Sequence, residues 1–264
     1  MFYNEIDLLK IRLHELYNVV DCIILVEATT THTGKPKPLY YLENKNNFEK
    51  YNDKIIHIVT NFEENYSFGE HIKMNREPCY NTVDWYRENY QRECIQNGLN
   101  QLNLLDDDII IVTDIDEIPN KKIIQNIKEC HFKIENNIIQ NISMNLYYYN
   151  IELTTHRIWH YAKMFNYFTY KNNKLLTSIR LGNGNGKYET IENGGWHLSY
   201  FGDENFIKNK VESFAESTEY TREGKDINYL RDCISKSILH FNKEVLIHIP
   251  LGLNNNVPSF FKEL

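Results

Sequence analysis

The chain has 264 residues, 42% hydrophobic and 25% charged, which is the composition of a folded globular protein. A formal net charge of -7 argues against a nucleic-acid binder, which needs a basic face. No run of about 18 apolar residues predicts a membrane span, and the acidic first ten residues lack the basic start of a signal peptide.

Strands and helices alternate along the chain, which predicts a layered α/β fold in one domain, 1–264. Asn4 is placed to cap a first helix whose inner face carries Leu9, Leu13 and Leu16. The β-branched run 19–26 predicts a buried strand, 29–38 a polar loop, and 55–59 a second strand. A long helix is expected over 84–102, then a third buried strand over 109–113, with Pro119 opening the next helix. Residues 138–149 and 177–181 read as strands, with Trp159 and Lys163 in the connection between them. A strand over 196–201 puts His197, Ser199 and Phe201 on one face and Trp196, Leu198 and Tyr200 on the other. Helices follow over 205–216 and 226–239, and the Asn-rich tail after Pro250 reads as irregular. Cys22, Cys79, Cys94, Cys130 and Cys233 are dispersed, as expected of reduced thiols in a soluble cytoplasmic protein.

The third strand runs directly into Asp114-Ile115-Asp116-Glu117. Ligands of open α/β sheets sit beyond the carboxyl ends of strands. Three carboxylates there repel one another and have few cations near them in sequence, a conflict that a divalent cation would relieve. Oxygen ligands of this kind suit Mg²⁺ or Mn²⁺, which complete their shell with water and substrate phosphates. A bare DxD is more often a solvated turn; the apolar strand before it and Glu117-Ile118-Pro119 after it favour the metal.

A second unusual stretch is Gly194-Gly195-Trp196-His197. The glycines would let backbone approach a ligand, and His197 could add an imidazole to the same metal. Phe206, Lys210 and Phe214, spaced i, i+4, i+8, set a lysine in an apolar stripe, where it needs an anion: a diphosphate or a carboxylate.

Taken together, these residues resemble glycosyltransferase family 17, the β-1,4-mannosyl-glycoprotein 4-β-N-acetylglucosaminyltransferases. The similarity runs from Asn4 to about Ile234. It takes in Asn4-Glu5, Asp7-Leu8-Leu9, Arg12, His14-Glu15-Leu16, Val19-Val20-Asp21 and Gly34-Lys35-Pro36-Lys37-Pro38. It continues through Trp85, Tyr90, Arg92, Asp114 to Pro119, Gly195-Trp196-His197, Ser199 and Lys210, and ends on Asp226, Asn228, Tyr229 and Arg231. The resemblance implies a GT-A-type, Rossmann-like α/β/α sandwich with a mixed, mostly parallel central sheet. It implies an inverting transfer of N-acetylglucosamine from a UDP-sugar to a glycan acceptor. Carried over, Asp114, Asp116 and His197 would hold Mn²⁺ or Mg²⁺, Lys210 would neutralise a phosphate, and Arg92 would meet donor phosphate or base. Glu27 would lie near the nucleotide, and Trp196 is a candidate for stacking on a sugar. Met1 stands almost at the Asn4-Glu5 motif, so the family's first strand is expected to be missing or shortened.

An inverting displacement needs one general base on the acceptor. Asp226, Glu192, Asp203 and Glu117 are candidates; Asp226 lies in a matched motif, but it is equally placed to cap a helix. Two other readings fit parts of the pattern. A haloacid-dehalogenase-type phosphatase also carries DxD after an apolar strand, although Ile118 stands where its signature has Thr or Val. A non-catalytic carbohydrate-binding protein could keep the fold without the chemistry.

Overall fold

Val19 and Val20 do not enter the first strand. Their N–H groups both donate to Leu16 O and close the helix Ile6–Leu16, so β1 (Ile23–Ala28) starts after them. It pairs in parallel with β2 (Ile55–Thr60), Ile23 opposite Ile55. On the other edge of β1, Phe2 makes a single parallel bridge with Glu27. These elements belong to a computed structural model that describes residues 1–62, 82–173, 175–217, 220 and 223–263; Cys79 lies outside the described residues. Among the described residues no helix is long and apolar enough to cross a membrane.

A second sheet carries the site. Its centre is the parallel pair β5 (Ile138–Tyr148) and β8 (Lys187–Ser199). Along the free edge of β5, β7 (Lys163–Asn166) and then β3 (Ile109–Val112) pair at one end. At the other end lie β6 (Leu153–Trp159) and β9 (Ile247–His248). The short β4 (Glu117–Pro119) flanks β8. The layered α/β character is as expected, but the mostly parallel sheet is corrected. Among the described residues, parallel ladders are confined to β1–β2 and β5–β8. The connections from β5 to β6 and from β6 to β7 are a few residues long, far too short for the crossover that parallel neighbours need.

Other local expectations also change. Residues 177–180 lie in the helix Leu176–Arg180, with Leu181 at its C-cap, and Leu176 and Ile179, three apart, bury against Leu99 and Phe165. The expected helix over 84–102 is two, Val83–Glu93 and Ile95–Leu99, divided at Cys94. Lys163 opens β7 rather than lying in a connection. Pro119 ends β4, and it is the side chain of Asn120 that caps Lys121–Lys128 by accepting from the Lys122 N–H. Asn4 does not cap its helix; Glu5 occupies the N-cap position, and Asn4 Nδ2 donates to Asn209 instead.

Helix Ile6–Leu16 packs Leu8, Leu9 and Leu13 against Ile115, Ile118, Trp196 and Leu198. That cluster fixes the floor under the acidic loop. The two glycines of β8 serve this packing rather than a ligand. A side chain at Gly194 would stand 2.3 Å from Ile142 Cγ2, and one at Gly195 would stand 2.3 Å from Ile118 O. They let β8 lie closely between β5 and β4, which brings His197 opposite Glu117.

Candidate active site

Asp114-Ile115-Asp116 forms the turn between β3 and β4. Ile115 is buried in the core, which leaves the carboxylates on either side of it to face a cavity of about 640 Å³. That volume is within the range of roughly 300–1,000 Å³ usual for small-molecule sites. The turn is pinned by its own backbone: the Glu117 N–H donates to Asp114 O, and the Asp114 N–H donates to Glu117 Oε2. Leu198 of β8 donates its N–H to Asp116 O.

The repulsion expected among these carboxylates is already relieved by cations distant in sequence. Arg180 binds both Glu117 oxygens at 2.5 and 2.8 Å and Asp114 Oδ2 at 2.6 Å. Arg92 approaches Asp114 Oδ1 at 3.6 Å, and Arg12 holds the turn from behind through the carbonyls of Asp114 and Glu117. Lys210 Nζ is 2.8 Å from Asp116 Oδ2 and 3.7 Å from Glu5 Oε1. The inward lysine therefore finds its anion in carboxylates. Burial alone would push the Asp116 carboxyl up, but Lys210 and then His197 outweigh it and hold the group well below the usual carboxylate range. Burial likewise lowers Lys210, and Asp116 and Glu5 more than reverse that. Asp114, also pushed up by burial, is brought down by Arg180 and Arg92.

His197 completes this group. Its Nε2 is 3.5 Å from Asp116 Oδ2, its ring lies 4.3 Å from that of Trp159, and its Nδ1 is buried with no partner among the described residues. Arg92 Nε and Asn89 Nδ2, of two further residues lining the cavity, are likewise buried with no hydrogen-bond partner among the described residues. Buried polar atoms left this way are rare, and their convergence on one cavity marks a place built for a ligand. Among the described residues, no group of three or more His, Cys, Asp or Glu side chains is arranged to hold a metal.

The comparison with known families decides what kind of protein builds this cavity. The model of glycosyltransferase family 17 matches residues 1–228. The chain belongs to glycosyltransferase family 17. Over 120 residues it is 34% identical to the β-1,4-mannosyl-glycoprotein 4-β-N-acetylglucosaminyltransferase of Homo sapiens, and equally to that of Rattus norvegicus. The matched segment covers 44% of this chain and 20% of each relative, so the match spans about a fifth of the length of these curated relatives. No solved structure matches the chain.

Within this family-17 chain, the expected site residues divide. Asp114, Asp116, His197, Lys210 and Arg92 all line the cavity. Glu27 does not: it is fully buried in β1, accepting from the Tyr41 N–H and paired with His57 at 3.1 Å and Lys37 at 3.7 Å. Trp196 points the other way along β8, into the core, and donates Nε1–H to Asn256. Asp226 is exposed and caps Ile227–Ser235 by accepting from the Tyr229 N–H; it does not line the cavity. Asp203 caps Glu204–Ser213 in the same way, and Glu192 is exposed on β8. Arg180 was not singled out in the sequence at all, and Glu5 and Arg12 appear there only as motif letters.

The far end of the cavity is aromatic, formed by Tyr148, Tyr200, Phe214, Tyr220, His240 and Phe241. Burial lowers His240 to about 4. The unfolded chain thus takes up a proton below pH ~6.5 that the fold refuses until pH ~4, so stability falls as pH drops through that window. The loss expected is about 3 kcal/mol. His240→Gln should flatten urea-unfolding free energies between pH 6.5 and 4; an unchanged slope would show that His240 does not set it.

Proposed function

We propose that this chain transfers N-acetylglucosamine from UDP-N-acetylglucosamine to a glycan acceptor, with inversion, on a GT-A-type frame. The observation that carries this reading is the convergence of Asp116, His197 and Lys210 on a cavity that also holds unpartnered buried nitrogens. The name of the human relative, a β-1,4-mannosyl-glycoprotein 4-β-N-acetylglucosaminyltransferase, suggests the sugar.

Asp116 and His197 stand side by side, a carboxylate and an imidazole, and His197 keeps a buried nitrogen unpartnered. Two protein ligands completed by substrate phosphates is a usual arrangement for Mg²⁺-like ions, so the pair fits Mn²⁺ or Mg²⁺. Asp114 fits less well as a ligand, because Arg180 and Arg92 flank its carboxylate. A divalent cation on Asp116 and His197 would supply charge neutralisation at the leaving diphosphate.

The chain's own residues account for the rest. Lys210 neutralises Asp116. With donor bound its ammonium turns to phosphate, and Arg92, which also lines the cavity, adds a second cation. Arg180 keeps Asp114 and Glu117 in place so that the turn presents a fixed face. The acceptor proton passes to a carboxylate on the aromatic side, where Glu216 lines the cavity among Tyr148, Tyr200 and Tyr220. Asp226, outside the cavity, is not given this role.

The phosphatase reading needs Asp114 or Asp116 as an open nucleophile, and both carboxylates are held by cations. Isothermal titration with UDP, with and without Mn²⁺, tests the proposal. Binding at least tenfold tighter with Mn²⁺ is expected. Absence of UDP binding, or turnover of a simple phosphoester without sugar nucleotide, would overturn it.

A further inference from the structure

The aromatic end of the cavity holds a buried polar group with no partner among the described residues. His240 is 3% exposed, lines the cavity, and its Nε2 is that group. The hydrogen-bond network around it fixes the tautomer. Tyr149 Oη accepts from the His240 backbone N–H at 3.0 Å and lies 2.9 Å from His240 Nδ1 and 3.1 Å from Ile238 O. All three contacts are satisfied together only if Tyr149 donates to Ile238 O and Nδ1–H donates to Tyr149. Nε2 is then a bare lone pair, an acceptor waiting for an O–H or N–H donor.

The surroundings of that lone pair are apolar planes. Tyr148 and Tyr200 lie nearly parallel, 13° apart, with centroids at 6.5 Å. Tyr200 meets the His240 ring edge-on at 4.7 Å, and Phe241, 42% exposed, closes the side at 5.2 Å from it. Core packing does not explain an exposed phenylalanine beside a buried, unpaired imidazole nitrogen. A ligand with a flat C–H face and hydroxyls at its rim satisfies both at once, and a pyranose ring is such a ligand. The position is also fixed relative to the acidic turn: Lys210 Nζ, bound to Asp116, lies 5.7 Å from the centroid of the Tyr200 ring. Tyr200 thus stands between the phosphate-side cation and the aromatic end.

We propose that this end of the cavity is the acceptor subsite, where one pyranose of the glycan lies against Tyr200, Tyr148 and Phe241 and donates a hydroxyl hydrogen bond to His240 Nε2. This rests on the transferase reading for the word acceptor, though not for the carbohydrate. Tyr148 and Tyr200 lie within the family match, which ends at residue 228, whereas His240 and Phe241 lie past it.

The same pyranose chemistry could come from the sugar of the donor, and the test separates the two. Saturation-transfer NMR with the whole chain would use methyl β-glycosides of mannose, glucose, galactose and N-acetylglucosamine, alone and in the presence of UDP-N-acetylglucosamine. The expected result is a signal from at least one glycoside that persists when the sugar nucleotide is added. His240→Phe and Phe241→Ala should each weaken that glycoside at least tenfold, with UDP-N-acetylglucosamine affinity within twofold of wild type. His240→Gln, which keeps an acceptor on the side chain, should recover part of the loss. Since His240→Phe disturbs the Tyr149 bonds, the exposed Phe241 is the variant that decides if the first fails to fold. Displacement of the glycoside by UDP-N-acetylglucosamine, no glycoside signal at all, or unaltered binding in Phe241→Ala would each overturn the proposal. Glycoside binding without any sugar-nucleotide binding would instead leave the carbohydrate subsite standing and remove the transferase reading.

Discussion

Replacing Arg180 with methionine is expected to destabilise the fold by about 3–5 kcal/mol, the usual effect of deleting one partner of a buried ion pair. Arg180 is 5% exposed, and it faces Glu117, which is fully buried. Without the guanidinium, Glu117 keeps only Trp159 Nε1 at 2.5 Å and the Asp114 N–H at 2.9 Å, and Asp114 loses its 2.6 Å contact. Two hydrogen bonds stabilise the buried carboxylate incompletely, because Arg12 and Lys163, though near enough to interact with it, make no hydrogen bond to its oxygens. The midpoint of thermal unfolding should fall on the order of 10 °C. Arg180→Lys should lie between the two, because an ammonium keeps the charge but not the forked geometry that spans Glu117 and Asp114. The double variant Arg180→Met, Glu117→Gln should recover part of the loss, since it removes the orphaned charge. A single variant within 1 kcal/mol of wild type in urea unfolding would show that the pair does not hold the turn.

That Arg180 matters was not visible in the sequence, and the reason is physical. Thr177-Ser178-Ile179-Arg180 carries a β-branched pattern, which favours a strand reading. What makes it a helix is tertiary: Leu176 and Ile179 fill a pocket against Leu99 and Phe165, and Glu93 accepts from the N–H groups of Leu176 and Thr177. A helix whose N-terminus is capped by a carboxylate 83 residues away leaves no local signature. The acidic turn, in contrast, was legible because an apolar strand and the DxD spacing are both local. The same contrast explains the charge balance. Sequence proximity showed carboxylates without cations, while the fold delivers Arg180 from 66 residues away and Lys210 from 94. Trp196 and His197 were correctly separated by the period-two rule, but which face holds the ligand depends on the helix Ile6–Leu16 covering the other. The direction of the sheet was misjudged for a related reason: connection lengths between β5, β6 and β7 decide it, and those lengths could be counted only once Lys163 was known to begin a strand.

Asp116→Asn separates the two roles that the site gives to one carboxylate. The change keeps the shape and the Leu198 N–H to Asp116 O bond, which is made by backbone, so the turn should persist. Lys210 loses its 2.8 Å partner but retains Glu5 at 3.7 Å, so its charge is not left alone in the core. Transfer should fall about 10³-fold in kcat/KM, roughly 4 kcal/mol, if the carboxylate helps neutralise the leaving diphosphate. The binding result is more discriminating than the rate. On the proposed reading, donor phosphate draws Lys210 away from Asp116 in the wild type; in the variant that competitor is neutral. UDP affinity without metal should therefore stay the same or rise, while the increment added by Mn²⁺ disappears. A merely structural aspartate would lower both affinities together as the turn loosened. Titration of UDP into each form, with and without Mn²⁺, reads the difference. A variant that keeps the Mn²⁺ increment within twofold would take Asp116 out of the metal's shell and leave it as the residue that positions Lys210.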